Sequence, residues 1–354
     1  MRRSCVVCAA GGGVHTGYRS TEPEGARMST GTSELLHAEG TGVADPQSSG
    51  PDDIARSPLQ LFWRRLRRDK VALTALGFIV LLVIVAIFAP LIIKLLGAPD
   101  PNVQSTEALD DFGLPDGPSR DHLFGSDQIG RDVFSRTIYG ARVSLTVALV
   151  ATALIVLLGT LVGMISGYFR GWVDSVLSRA MDVMLAFPVL LLALGLGAAC
   201  SFGNGCLGGL IQPGLRVVIF VIVIAQVSYF ARIIRGQVLS LREKEFVEAA
   251  KSLGASNTRI IFREILPNLV APIIVYTTLI IPTNILFEAA LSFLGVGVQP
   301  PTATWGAMIA EATNIFDIAW WFMLAPGIAL VLTVLAFNLI GDGLQDALNP
   351  KGDR

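Results

Sequence analysis

The chain has 354 residues, of which 52% are hydrophobic and 16% are charged, and its formal net charge is −1. Soluble domains carry about 25% charged residues, so too few charges remain here to cover a water-facing surface, and the composition favours a membrane protein. The near-zero net charge gives no global basic field for nucleic acid, and four cysteines are too few for a disulfide framework.

The first 56 residues differ from the rest of the chain. They are rich in Gly, Ser, Thr and Glu and show no helical or strand period, which predicts a disordered tail. From Ser57 to Lys70 the apolar residues share one helical face and arginines occupy the others. This pattern predicts an interfacial helix lying along the cytoplasmic leaflet; a basic flank to the first membrane span is the alternative.

Six uncharged runs predict six membrane-spanning helices, because about 20 apolar residues cross a bilayer. The runs are 71–93, 143–169, 183–215, 217–231, 265–287 and 318–340. The fourth is short unless it begins near Pro213 with Arg216 turned outward. Lysine and arginine concentrate before the first span and after the second and fourth. By the positive-inside rule, both termini are predicted to be cytoplasmic, and residues 97–139 and 295–317 to lie outside.

Two glycine patterns imitate nucleotide sites. The run from Gly125 to Asp132 has the glycine spacing of a P-loop, but Arg131 and Asp132 replace its Lys and hydroxyl residue. Gly203 to Gly208 fits the dinucleotide pattern by letter without a preceding strand. The three histidines are far apart in the sequence, so we expect no metal site, cofactor or catalytic cluster. For Cys200 and Cys206 a local disulfide and two free thiols both remain open.

The loop between the fourth and fifth spans, residues 232–267, predicts two short helices joined by a tight turn. Gly254 fits a C-terminal cap and Ser256 the cap of the following helix, while Pro267 begins the next span. One face of the first helix is apolar, formed by Phe246, Ala249, Ala250 and Leu253. This face either packs on the chain's own spans or docks a soluble cytoplasmic partner by the helix-in-groove mode.

This loop resembles the EAA motif of ABC importer permeases. The matching residues are Glu248-Ala249-Ala250, Gly254 and Leu266-Pro267, at the motif's spacing; Glu264 stands where the motif has Ile. In that family the loop forms the coupling helix, which sits in a groove of the ATPase subunit. The resemblance therefore implies an ATPase-coupling loop formed by Phe246, Glu248, Ala249, Ala250, Leu253, Gly254, Leu266 and Pro267.

Three further segments resemble the C subunits of dipeptide and oligopeptide permeases (DppC/OppC-like). They are residues 122–136, 291–306 and 337–350. The first resembles their extracytoplasmic signature, carried here by Gly125, Asp127, Gly130, Arg131 and Asp132. Around the second we place outer-gate candidates: Glu288, Gly295, Gly297, Pro300, Pro301 and Trp305. Glu288 follows an uncharged run, and we interpret it as gate or interface packing rather than a proton relay.

The resemblance implies a function and a fold. The fold is all-α, a polytopic bundle of six transmembrane helices of the type I ABC importer permease class, in the cell membrane. The expected divisions are 1–56 as tail, 57–122 as interfacial helix, first span and outer loop, and 123–350 as permease domain with its core at about 141–342.

As a non-enzymatic permease subunit, the chain would work with several partners. They are a homologous second permease, two cytoplasmic ABC ATPase subunits, an extracytoplasmic binding protein, the lipid bilayer and a peptide substrate, with no nucleic acid and no cofactor. Nickel or glutathione import within the same family is the alternative. A proton- or sodium-coupled secondary transporter is the competing class, although the uncharged span interiors speak against it.

Overall fold

The computed structural model describes residues 64, 67–201 and 205–348. Regular structure within these residues is helical, with only isolated β-bridges. The principal helices are α1 (Lys70–Ile87), α2 (Ala89–Leu96), α3 (Val133–Tyr168), α4 (Trp172–Ala186), α5 (Val189–Ser201), α6 (Leu215–Arg242), α7 (Glu245–Ser252), α8 (Asn257–Phe293), α9 (Trp305–Ala312) and α10 (Trp320–Leu348). The tail, residues 1–56, and most of the predicted interfacial helix lie outside the described residues.

Five of these helices are long and apolar enough to cross a membrane: α1, α3, α6, α8 and α10. The third predicted span, 183–215, is wrong as a straight helix. In its place α4 and α5 form a broken pair bent by 88°, which makes the sixth span only if the pair crosses as one unit. The predicted all-helical membrane bundle is otherwise confirmed.

Proline positions explain the break between α4 and α5 and the break between α1 and α2. Phe187 has extended backbone angles and ends α4, because a proline at the next position disfavours the helical conformation of the residue before it. Pro90 similarly separates α1 from α2 at Phe88. Prolines within α8 and α10 leave those helices continuous, as expected for helices in lipid.

Four of the long helices, α3, α6, α8 and α10, extend beyond their predicted spans, and α6 and α3 show the reason. α6 runs for 28 residues, from Leu215 to Arg242, instead of ending near Ala231. The helix continues because Arg232 and Arg235 find acidic partners on α4, Asp182 and Asp174. α3 likewise begins at Val133, capped by the Asp132 carboxylate, which accepts from the Ser135 amide at 2.7 Å. The charged ends of both helices therefore extend beyond their uncharged runs.

A stripe of small residues brings α3 and α6 into close contact. Gly159, Gly163 and Gly167 recur every fourth residue and face α6. A Cβ atom at Gly163 would lie 2.6 Å from the Ala231 carbonyl oxygen, and one at Gly167 would lie 2.8 Å from Cβ of Val238. Small residues at this spacing allow helix backbones to approach in membranes, where packing replaces the hydrophobic effect. The spacing is visible in the sequence, but our sequence analysis missed it.

Cys200 of α5 and Cys206, in the connection between α5 and α6, are joined as a disulfide. Cys200 is 1% exposed at the end of α5. Of the two alternatives that the sequence left open, the structure therefore has the local disulfide, between cysteines six positions apart.

Candidate functional site

The helix–turn–helix loop, residues 243–259, begins where α6 ends. α7 closes with a Schellman cap: the Gly254 amide donates to the Lys251 carbonyl at 2.9 Å and the Ala255 amide to the Ala250 carbonyl at 3.0 Å. Gly254 has φ +77°, a conformation that glycine adopts without the Cβ penalty. The Ser256 hydroxyl then accepts from the Arg259 amide and caps α8. The predicted turn and both caps are present.

The apolar face of α7 is divided between the protein core and solvent. Val247, which the sequence analysis did not single out, is fully buried and anchors the helix. Ala250 packs partly on the same core. By contrast, Phe246 is 38% exposed and Leu253 is 88% exposed. The helix thus packs on the chain's own spans through Val247 and Ala250, while most of the predicted apolar face is uncovered in this chain.

The second helix of the loop continues directly into the next span. Its helical turns widen to a π-helix over Ile260–Ile265, where the Leu266 amide donates to the Ile261 carbonyl. Pro267 follows in the first turn of the regular helix, where its missing N–H costs little. Ile265 is fully buried and Glu264 is half-buried, so the isoleucine beside the departure from the EAA pattern supplies the apolar packing.

Tyr168, at the end of α3, contacts three parts of the loop region. Its hydroxyl donates to Asn257 Oδ1 at 2.8 Å, and Arg242 Nη1 donates to its carbonyl oxygen at 2.5 Å. Lys251 Nζ lies 6.0 Å from the centre of its ring, within cation–π range. Tyr168 is 6% exposed. In the sequence Tyr168 is only part of the apolar run 143–169.

A second polar cluster ties α3, α4 and α6 together near the same end of the bundle. The Asp174 carboxylate accepts from Arg235 Nε at 2.7 Å and from Arg235 Nη2 at 2.9 Å. It also accepts from the hydroxyls of Ser166 and Ser178, at 2.7 and 3.0 Å. A bidentate arginine–carboxylate pair restricts geometry more than a single contact does, so this cluster fixes the relative positions of the three helices.

The signature segment, residues 122–136, lies at the opposite end of α3, and its glycines serve the backbone. Gly125 and Gly130 have φ +74° and +75°. A Cβ atom at Gly125 would lie 2.5 Å from Trp321 Nε1, and one at Gly130 would overlap the Ser105 carbonyl oxygen. The P-loop spacing of these glycines therefore reflects two tight turns pressed against neighbouring chain.

The signature network consists of Asp127, Arg131, Arg136 and Glu311. Arg131 Nε donates to Asp127 Oδ2 at 2.6 Å, and Arg131 Nη2 donates to Glu311 Oε2 at 2.7 Å. Arg136 lies between the same two acids, with contacts of 3.6 and 3.2 Å. Asp127 is 0% exposed and Arg136 is 1% exposed. Two cations and two anions balance, as buried charges must.

Asp132 and Glu311 complete this end of the bundle. Asp132 Oδ1 contacts His122 Nδ1 at 3.0 Å while its other oxygen caps α3. Glu311 lies on α9 and was missed by the sequence analysis; the signal was one acid on an otherwise apolar helix. The signature residues thus lie in one network of turns and ion pairs, and Arg131 joins residues 97–139 to residues 295–317 through Glu311.

The outer-gate candidates divide into buried and exposed members. Glu288 is fully buried and accepts hydrogen bonds from Ser144 at 2.9 Å and Ser292 at 2.8 Å. Trp305 is also buried; its indole donates to the Thr137 carbonyl at 3.0 Å. The structure brings Glu288, Gly297 and Trp305 together around Ser144 and Ser292. The other candidates, Gly295, Pro300 and Pro301, are exposed. Gly295, at φ +80°, is joined to the cluster through its amide, which donates to the Ser292 carbonyl at 3.1 Å.

The contacts also show which loops lie at the same end of the helix bundle. Arg131 and Arg136 meet Glu311 at one end of α3, whereas Tyr168 and Arg170 meet Asn257 and Glu243 at the other. Because α3 has 36 residues, these ends are about 54 Å apart at 1.5 Å per residue. The two predicted outer segments therefore share one end of the bundle, and the loop region shares the other.

Comparison with known proteins places this geometry in a known class. The fold is similar to that of the membrane chain in the inward-facing MetNI methionine ABC transporter, with a TM-score of 0.51, 18% sequence identity, and coverage of 60% of this chain and 96% of that one. A second crystal form of the same transporter has a TM-score of 0.50 and 16% identity, covering 61% of this chain and 97% of that one. The fold is that of an ABC transporter membrane subunit.

The sequence comparisons identify the family. Residues 159–353 match the binding-protein-dependent transport system inner membrane component, and residues 57–109 match the N-terminal TM domain of oligopeptide transport permease C. The chain is 41% identical to the dipeptide transport system permease protein DppC of Alkalihalophilus pseudofirmus over 89% of this chain and 98% of that protein. It is 44% identical to the glutathione transport system permease protein GsiD of Escherichia coli O157:H7, over 85% and 93%.

The chain belongs to the family of binding-protein-dependent transport system inner membrane components. It is therefore a membrane permease subunit of an ABC importer, and the competing secondary-transporter class is excluded. Membership also means that ATP hydrolysis resides in separate subunits and that a binding protein delivers the substrate.

Proposed function

We propose that this chain is the C-type permease of a peptide importer, paired with one homologous permease and two ATPase subunits. The observation that supports it most is the uncovered apolar face of α7. Leu253 and Phe246 stand exposed on a helix held by a Schellman cap and by the buried Val247. A preorganised helix with exposed apolar anchors fits the groove of a soluble partner.

Peptide is the proposed substrate class because a dipeptide permease is similar over nearly the whole chain. Glutathione is the second candidate, supported by the glutathione permeases at 44% identity. The two share α-amino and carboxylate groups, so a common translocation path is chemically reasonable. Nickel import has no comparable support among the relatives described above.

The substrate test is uptake into proteoliposomes that contain the full four-subunit assembly, with ATP inside and the binding protein outside. We expect ATP-dependent accumulation of a labelled dipeptide or oligopeptide. Accumulation of labelled glutathione without accumulation of labelled peptides would move the assignment to glutathione. Absence of accumulation with every substrate, in an assembly that hydrolyses ATP, would contradict the proposal.

We further propose that both termini and the helix–turn–helix loop are cytoplasmic, with the signature segment outside. Gln128 and Ser256 are both exposed, at opposite ends of the bundle. Because an impermeant maleimide reaches only the outer side of intact cells, we expect it to label a cysteine at Gln128 but not one at Ser256. Gln128 is chosen over Ser126, which is 0% exposed. The reverse labelling pattern would invert the topology.

Gly254→Val should weaken ATPase association while Gly254→Asn should preserve it. No atom lies within 4 Å of a Cβ placed at Gly254, so only its positive φ discriminates between the two. A β-branched residue in this conformation costs roughly 1–2 kcal/mol, whereas Asn tolerates it. The measurement is co-purification of the ATPase subunits at equal permease content. Equal recovery of the ATPase subunits with both variants would show that the conformation at Gly254 does not determine how the loop is oriented toward the ATPase.

The role of Glu288, Trp305 and their neighbours as an outer gate stays a prediction. The hydrogen bonds from Ser144 and Ser292 to Glu288 support the interface-packing alternative, because polar groups inside a membrane protein stabilise helix–helix contacts when they are paired.

A further inference from the structure

The long helix α3 connects the two ends of the molecule. Its first turn carries Asp132 and Arg136, which belong to the buried polar contacts of the signature segment. Its last residue is Tyr168, which contacts the helix–turn–helix loop. Along its length the glycine stripe holds it against α6. A movement of the loop therefore reaches the opposite end of the bundle through α3 only if the loop is firmly attached to it.

Tyr168 provides that attachment through three different elements. Asn257, which receives its hydroxyl hydrogen bond, begins α8 immediately after the turn. Arg242, which donates to its carbonyl oxygen, ends α6. Lys251 lies over its ring from the last turn of α7. Tyr168 thus contacts the residue that precedes the loop and one residue on each side of its turn.

The contact with Arg242 also supplies a hydrogen-bond donor to a backbone carbonyl group. The last carbonyl groups of a helix lack intrahelical donors, and the guanidinium supplies one to the end of α3 at 2.5 Å. Because Tyr168 is 6% exposed, its side chain presents little surface to a docked ATPase. Its effect on coupling would have to act through the loop.

We infer that Tyr168 is the positioning residue that holds the helix–turn–helix loop on α3, so that ATPase-driven movement of the loop is transmitted to the bundle. This inference rests on the proposed function, since it needs an ATPase docked on α7. The hydroxyl is the critical group, because it alone reaches Asn257 across the turn. The ring remains in place without it, packed edge-on against Phe169 at 5.1 Å.

The test compares Tyr168→Phe with wild type in the reconstituted four-subunit assembly. The readout is the ratio of ATPase activity with binding protein and substrate to basal ATPase activity. A single hydrogen bond corresponds to about a two- to tenfold change in an equilibrium, so we expect this ratio and the peptide uptake per ATP to fall about two- to tenfold. Assembly and basal ATPase activity should be retained.

Two further variants separate positioning from general stability. Asn257→Ala should produce the same loss, and the double variant should be no worse than either single one, because both remove the same bond. Tyr229→Phe is the matched control, since Tyr229 is 54% exposed on α6, and it should retain the wild-type ratio.

An unchanged ratio in Tyr168→Phe would overturn the inference. So would additive losses in the double variant, or a loss of assembled complex at an unchanged ratio, since that result indicates a structural role only. A wild-type assembly that neither recruits ATPase subunits nor responds to substrate would instead refute the proposed function, and this inference with it.

Discussion

Gly163→Leu should largely prevent α3 and α6 from packing. The nearest atom to a new Cβ is the Ala231 carbonyl oxygen at 2.6 Å, followed by Ile234 Cβ at 2.8 Å. The first is a backbone atom and the second is the first atom of a side chain, so neither can move away by a change of rotamer. Overpacking typically costs about 1–3 kcal/mol, and we expect the upper end or more here because the two helices must separate.

The measurement is the yield of monodisperse protein extracted from membranes and its thermal unfolding midpoint in detergent. Gly236→Leu is the matched control on α6, where no atom lies within 4 Å of a new Cβ. The control should keep the wild-type yield, because leucine also favours helix over glycine. Equal midpoints for the two variants would contradict the close-packed stripe.

Asp127→Ala should strongly destabilise the signature segment. Removing this 0%-exposed carboxylate leaves Arg131 and Arg136 with only Glu311. Breaking a buried ion pair by removing one partner costs about 3–5 kcal/mol. The variant also removes the acceptor of the Ile129 and Arg131 amides, at 3.1 and 2.9 Å, so the local turn should open as well.

Limited proteolysis of the signature segment and the thermal midpoint together measure this effect. Asp127→Asn should be intermediate, because it keeps an acceptor for the amides but loses the charge. Asp121→Ala changes an exposed acid immediately before the signature segment and should lie within about 0.5 kcal/mol of wild type. If Asp127→Ala matched that control, the network would be dispensable for folding.

Local patterns in the sequence predicted much of this architecture. Apolar runs located all five long helices, because a span must bury its backbone groups in a continuous helix. Gly254 and Ser256 predicted the turn, since caps depend on one or two residues. Because residues 122–136 resemble a family signature, Asp127 and Arg131 could be named as candidate site residues from the sequence alone.

What the sequence did not reveal depends on contacts between distant residues. The predicted fourth span ended before Arg232, because the acid that pairs with this arginine, Asp182, is 50 positions away in the sequence. Glu311 gave no local sign of meeting Arg131, 180 positions earlier. The break at Pro188 was missed because prolines inside membrane helices are often tolerated. Tyr168 acquires its importance only from the three elements folded around it.

The most direct test of the central claim is ATPase recruitment by Leu253→Asp. Leu253 is 88% exposed on α7, so the substitution should leave the permease folded while placing a charge on the proposed docking face. Leu210→Asp, at a position 77% exposed outside the loop region, is the matched control. We predict that Leu253→Asp loses co-purifying ATPase subunits and peptide uptake at normal permease content, while Leu210→Asp retains its ATPase subunits. Wild-type ATPase recovery with Leu253→Asp would contradict the proposal that this face docks the ATPase.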